Sequence, residues 1–409
     1  DNAYTQIVTF VVGIILARLL EPREFGLIGM IMIFIAVAQS FVDSGFSQAL
    51  IRKKNCTEKD YNTVFYFNIF IAVLFYFILF FSAGLISSFF NQVELINIIK
   101  VMGLGVVLNG FGIVQGAQLT KEIDIKTQTK ISAIANTISG ILSIYLAYTG
   151  LGVWSLVWRG ISINLLRVIL LWIWHKWRPQ FIFSLQSFKE LFGFGSKLLA
   201  SGLLNTVFEN LYYLVIGKFF SPQQLGYYTR ALTFANLPSS NVNGVIQRVS
   251  YPVLAKLQDD PQAVKNGFKK LIKNTMFITF TLMMILAAVA KPLILTLIGV
   301  KWSQSIIYLQ LLCFSLMLYP LHSLNLNLLN VKGRSDLFLK LEIIKKILVI
   351  PVILIGIFLG IMPMLIGMII HSFICYFLNS QYAGLLINYS VKEQLNDITA
   401  GFLIAISVG

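Results

Sequence analysis

Charge is scarce in this chain: Asp, Glu, Lys and Arg make up 12% of its 409 residues, about half the ~25% of an ordinary soluble domain. That shortage leaves no stretch able to fold as a separate water-exposed domain. Cysteine is also rare, and Cys56, Cys313 and Cys375 lie too far apart for a disulfide framework or a cysteine zinc site. His175, His322 and His371 are the three histidines, and none has an acid at helical spacing that would make it an oriented base. Acids are outnumbered, 17 against 32 Lys and Arg. The chain opens without a methionine or a basic leader, and its last apolar run, Ile398–Val408, is too short to cross a bilayer. It reads as lacking parts of both ends, and no signal peptide is legible.

What fills the chain instead is apolar: 57% of residues are hydrophobic. A membrane-crossing helix needs about 20 such residues, and segments of that kind follow one another at Ala3–Leu20, Gly26–Phe46, Tyr61–Ser82, Leu95–Val114, Ile131–Ala147 and Val153–Trp174. Six more fall at Leu191–Phe219, Leu225–Gln247, Met276–Ala290, Ile306–Leu326, Leu341–Leu359 and Met364–Ile387, with a truncated thirteenth behind them. The fold class is therefore all-α, a polytopic transmembrane helix bundle.

The bundle is a duplication. Ala17–Met30, ARLLEPREFGLIGM, returns in degenerate form at Gly217–Arg230, GKFFSPQQLGYYTR, an offset of 200 residues. Arg18 falls on Lys218, Pro22 on Pro222 and Gly26 on Gly226, so a cation, a helix stop and a helix restart recur in order. Ser40 and Asp43 meet Ser240 and Asn243 at the same offset, and Gly152 meets Gly360 at 208. Each copy holds six spans, and an even number makes the copies parallel rather than inverted. The expected organisation is two six-helix lobes, 1–190 and 191–388, with 389–409 starting a further helix.

The basic residues lie mostly in the loops after even-numbered spans, among them Arg52, Lys53, Lys121, Lys126, Lys176, Arg178, Lys265, Lys269 and Lys332. The positive-inside rule puts those loops, and the N-terminus, in the cytoplasm. Much of the +15 net charge is thus topological, and nucleic-acid binding is not implied.

Polar residues inside the spans need another explanation. Lys197, Ser201, Asn205 and Glu209 recur every four residues on one face of the seventh span. Thr229, Thr233, Asn236, Ser240, Asn243 and Gln247 stripe the eighth, with Pro238 as a kink. The second carries Gln39, Ser40, Asp43, Ser44, Ser47 and Gln48, the first Gln6, Thr9 and Gly13, and the sixth Arg159 with Ser155 and Ser162. Hydroxyls and amides can be helix–helix glue, but charges in a span face water or a partner. Lys197 and Glu209 stand about 18 Å apart along their helix, at 1.5 Å per residue, and cannot pair with each other. The simplest arrangement sets the polar faces of spans one, two, seven and eight around an aqueous cavity between the lobes. Arg18, Arg52, Lys197, Lys218, Arg230 and Arg248 would line it, with Asp43 and Glu209 as its acids. Such a cavity attracts an anionic head group, above all a phosphate.

ILARLLEPREFGLIGM, FVDSGFSQALIRKKN and VIGKFFSPQQLGYYTRA resemble the Wzx-type polysaccharide flippases of the multidrug/oligosaccharidyl-lipid/polysaccharide (MOP) exporter superfamily, nearest its lipopolysaccharide and colanic-acid branch. The resemblance implies two six-helix lobes and an undecaprenyl-diphosphate-linked oligosaccharide carried from the inner to the outer leaflet of the bacterial cytoplasmic membrane by alternating access. It implies that cavity cations hold the substrate, here mapped onto Arg18, Arg52, Lys197, Lys218, Arg230 and Arg248. No cofactor is called for beyond a coupling proton or sodium ion, for which Glu209 and then Asp43 are the candidates. Polysaccharide polymerase and glycosyltransferases are the expected partners.

Two alternatives belong to other classes. A cation-coupled drug antiporter of the same superfamily would want an acidic site, which Asp43 and Glu209 could supply. A membrane glycan-modifying enzyme, an acyltransferase or polymerase, would want a base that the three isolated histidines do not provide.

Overall fold

The computed structural model describes residues 2–257 and 260–408, and among them there are helices and turns but no β-strand. They form two compact units, Asp1–Gly226 and Tyr227–Gly409.

The first unit holds α1 (Asn2–Leu19), α2 (Pro22–Asp43), α3 (Phe46–Arg52), α4 (Glu58–Phe90), α5 (Leu95–Gly110), α6 (Ile113–Lys121), α7 (Ile125–Tyr148), α8 (Val153–Trp174), α9 (Leu185–Phe219) and the first turn of α10 (Pro222–Lys256). The second holds the rest of α10, then α11 (Pro261–Ala288), α12 (Ala290–Leu297), α13 (Gln304–Leu316), α14 (Tyr319–Val331), α15 (Ser335–Leu359), α16 (Ile361–Leu385) and α17 (Val391–Val408). The expected spans fall on helical residues, but Gly26–Phe46 runs into α3, Leu95–Val114 straddles α5 and α6, and Ile306–Leu326 straddles α13 and α14; the thirteenth falls on α17. Among the described residues, eight helical segments are long and apolar enough to cross a membrane, nine if α5 and α6, bent by 43°, cross as one. This is fewer than the twelve spans expected. The apolar helix at the N-terminus is short, α10 is rich in polar residues, and one end of α15 carries Glu342, Lys345 and Lys346.

Within the first unit α2 touches α4, α5, α8 and α9, while α1 packs on α7 and α7 on α8. Leu27, Met30, Ile31, Ala38 and Val42 are the buried face of α2. Glu21 and Glu24 close a capping box over its first turn, with Pro22 at the entry. At its other end Ser44 (φ 48°) and Gly45 (φ 68°) turn left-handed and break the helix before α3. There the backbones nearly touch: a Cβ on Gly45 would stand 2.4 Å from the Gly195 carbonyl oxygen of α9. The loop into α9 is pinned as well. Trp177 Nε1 donates to Glu58 at 2.9 Å, the Ser184 amide donates to Thr63 at 3.0 Å, and Lys53 bridges Asp60 and Glu190.

The duplicated motif meets itself. A Cβ on Gly26 would lie 1.7 Å from the Pro222 carbonyl oxygen, and one on Gly226 would lie 1.8 Å from that of Pro22. The first turns of α2 and α10 therefore cross backbone to backbone in a reciprocal, two-fold-like contact that only glycine permits. The second correspondence holds too. Gly152 (φ 55°) and Gly360 (φ 104°) both have positive φ and both precede a helix, α8 and α16.

In the second unit, Asn327 of α14 donates to Gln247 and Ser250 of α10 at 3.0 and 2.9 Å. Pro238 and Pro252 both lie within the single helix α10. α17 packs on α11, where Asp397 pairs with Lys269 and Lys273 at 2.9 and 2.8 Å.

Candidate substrate cavity

A cavity of about 660 Å³ opens inside the first unit, walled by α2, α3 and α5 to α9. That is within the range of sites that hold small molecules, ~300–1,000 Å³. α2 contributes Gln39, Ser40 and Asp43, α3 contributes Ser47 and Gln48, and α9 faces them with Thr206, Glu209 and Asn210. Ser40 Oγ and Thr206 Oγ1 share a hydrogen bond of 3.1 Å, which ties the two striped helices together across one wall. Asn109, Thr120, Gln128, Ser132 and Asn164 complete the polar lining, and no Phe, Tyr or Trp lines it. A smaller apolar pouch of about 180 Å³, between Met32, Met102 and Ile161, shares Gln39 and Asn164 with it.

Three charged side chains line the cavity: Asp43, Glu209 and Arg167. Asp43 accepts a hydrogen bond from the Ser47 hydroxyl. Among the described residues, Arg167 and Glu209 have neither an ion-pair nor a hydrogen-bond partner. An arginine kept in a span without a counter-ion offers five donors to whatever enters.

The structure thus brings both expected acids, Asp43 and Glu209, to one cavity. The six expected cations do not line it. Arg52 is exposed and stacks on the Phe194 ring, 4.2 Å from its centroid. Lys218 donates to the Phe89 carbonyl at 2.6 Å and sits over that ring. Arg18 and Lys197 are exposed at the end of α1 and in the first half of α9, while Arg230 and Arg248 belong to the second unit. The mild polar face of α1 has a packing role, since Thr9 donates to Asn136 of α7 at 3.4 Å. Arg167 is the residue that sequence reasoning missed. Its signal was a stripe on α8, Gly160, Asn164, Arg167 and Leu171, running beside the Arg159 face.

The histidines are absorbed by packing. His322 bonds Ser372 and Asn379 at 3.3 and 3.4 Å, and His371 bonds the Lys345 carbonyl at 3.1 Å. Burial lowers the pKa of His175 from its ordinary value, and its Nδ1 accepts the Trp177 amide at 3.2 Å. No cluster of three His, Cys, Asp or Glu able to hold a metal occurs among the described residues.

If the cavity is wet, cysteine at Ser40 or Gln48, in a background without native cysteines, reacts with a membrane-impermeant thiol reagent. Protection of both positions in every condition tried would show that the lining is buried glue.

This helical membrane bundle, with a polar cavity inside its first unit, has the fold of two solved membrane proteins. The chain aligns over 99% of its length with 90% of the lipid II flippase MurJ in an inward closed conformation (TM-score 0.76, 15% identity). It aligns over 94% of its length with 96% of an inward-facing multidrug resistance MATE family transporter of the MOP superfamily (TM-score 0.73, 15% identity). Within that fold, residues 15–307 match the family described as polysaccharide biosynthesis protein, and the chain belongs to it. It is 30% identical over 303 residues to the teichuronic acid biosynthesis protein TuaB of Bacillus subtilis, covering 73% of this chain and 62% of that relative. With the lipopolysaccharide biosynthesis protein WzxC of Escherichia coli it shares 28% identity over 84% of this chain and 70% of the relative. With the succinoglycan biosynthesis transport protein ExoT of Rhizobium meliloti the figures are 25%, 75% and 62%.

Proposed function

We propose that this multi-pass membrane protein is a flippase that moves an undecaprenyl-diphosphate-linked oligosaccharide across the bacterial cytoplasmic membrane by alternating access, its N-terminus in the cytoplasm. The observation that carries this reading is the cavity: an arginine with no partner among the described residues, set among amides and hydroxyls and enclosed by membrane helices, suits a hydrophilic head group that must cross hydrocarbon. Membership of the polysaccharide biosynthesis family and the names of its relatives support the substrate class. The lining holds no histidine to act as a general base, which favours transport over glycan modification. Glycosyltransferases would supply the substrate and a polymerase would consume it.

The six cations outside the cavity, Arg18, Arg52, Lys197, Lys218, Arg230 and Arg248, are the proposed phosphate contacts. Lys197 is the first to test, because among the described residues it has no partner. Glu209 is the proposed site of a coupling proton or sodium ion, with Asp43 second. Flipping in proteoliposomes should respond to a pH or sodium gradient in the parent and lose that response in Glu209→Gln; an unchanged response removes the coupling role.

The excess of acid over cation in the lining favours one second reading, a cation-coupled drug antiporter. Lipophilic cations are held by aromatic faces, and this lining offers none. In proteoliposomes, passage of labelled lipid-linked oligosaccharide between leaflets with its structure unaltered is the result expected of a flippase. Transport of a lipophilic cation, with none of the lipid, would establish the antiporter instead.

A further inference from the structure

We infer that the cavity of the first unit is a subsite for the sugars of the substrate and not for its diphosphate, and that it takes uncharged or amino sugars in preference to acidic ones. This inference rests on the flippase reading. A diphosphate is an acceptor only, so a site for it must be rich in donors. Here two carboxylates, Asp43 and Glu209, face one guanidinium, and both acids are themselves acceptors that repel a phosphate or a uronate. A sugar hydroxyl both donates and accepts. The lining meets both needs: carboxylates accept from hydroxyls, Arg167 donates to ring and hydroxyl oxygens, and Gln39, Gln48 and Asn109 do either.

Several of these groups are left open. Asn164 and Asn210 each spend their amide nitrogen on a carbonyl of their own helix, at 3.2 and 2.8 Å. Each keeps its oxygen as an acceptor. Glu209 and Arg167 are uncommitted among the described residues. Ile51, Ile131, Val168 and Leu171 supply aliphatic surface for the C–H faces of sugar rings. The expected cations lie outside the cavity, so the diphosphate has candidates elsewhere. The subsite is also compatible with ion coupling, because a Glu209 carboxylate that takes a cation gives up acceptor oxygens and loosens its hold on the sugar.

Native mass spectrometry of the full chain in detergent tests this with two probes: bare undecaprenyl diphosphate, and the undecaprenyl-diphosphate-linked oligosaccharide extracted from membranes of the source organism. The glycan-bearing lipid should bind at least tenfold more tightly than the bare lipid. Asp43→Asn and Glu209→Gln should each weaken it about tenfold while leaving bare-lipid binding unchanged, which also shows that the variants fold. Asn164→Ala, which leaves the charge balance intact, should act in the same direction. If the variants weaken both lipids alike, or leave glycan-lipid binding at the parent level, the sugar subsite is overturned and the flippase reading stands. If the parent binds neither lipid, the flippase reading itself falls.

Discussion

Alanine at Gly26 or at Gly226 is expected to lower the thermal-unfolding midpoint of the purified protein and cut the yield of folded chain, although each change adds one methyl group. The new Cβ would stand 1.7 or 1.8 Å from a carbonyl oxygen of the opposing helix turn, less than any real contact, so the crossing must separate. Overpacking of this kind typically costs ~1–3 kcal/mol and at times more. Backbone against backbone is the case least able to relax. Because both glycines serve one crossing, the first alanine opens room for the second. The double variant should cost less than the two single changes together, with a coupling of roughly 0.5–3 kcal/mol. Gly84→Ala, in α4 with nothing within 4 Å of its Cβ, should be neutral or stabilising by helix propensity. Additive losses at Gly26 and Gly226 would mean that the two sites act separately.

Arg167→Ala should lower transport roughly 10- to 100-fold at normal expression. The basis is the loss of a charge-assisted hydrogen bond, about 1.5–3 kcal/mol, from a cavity whose lining has no other cation among the described residues. Arg167→Lys should recover little, because lysine keeps the charge but loses the planar fork of donors. Complementation of a flippase-deficient strain reads both variants. Full activity of Arg167→Ala would remove the residue from the site, and full recovery by lysine would reduce its role to charge alone.

Arg167 also marks the limit of what the sequence reveals. Apolar runs separated by short polar loops announce helices without reference to tertiary structure, so the expected spans fall on helical residues, while the breaks inside Leu95–Val114 and Ile306–Leu326 were not legible. The stripe of α2 was legible for the same reason: Gln39, Ser40 and Asp43 recur on one face of a lipid-length helix and line the cavity, whereas of the α9 stripe Lys197, Ser201, Asn205 and Glu209 only Glu209 does, beside Thr206 and Asn210. Gly26 and Gly226 were visible as a repeat, yet they read as helix restarts. Their reciprocal contact depends on two segments 200 residues apart meeting in space. Arg167 had only Asn164 and Gly160 for company, and glycine carries no polarity to make a stripe. The six expected cations do not line this cavity, and for two of them the reason is physical. A charge near a helix end can serve an aromatic ring or a free carbonyl as readily as a cavity, as Arg52 on Phe194 and Lys218 on Phe89 do. Composition does not separate these roles.

The cavity of the first unit is expected to lie on the transport path. Gln48→Cys in a cysteine-free background places a single thiol on its wall. Flipping of labelled lipid-linked oligosaccharide is then measured in proteoliposomes before and after reaction with a bulky, membrane-impermeant reagent that forms a mixed disulfide. Labelling is expected to stop flipping, and reduction to restore it. An undiminished rate with the thiol fully modified would contradict that expectation.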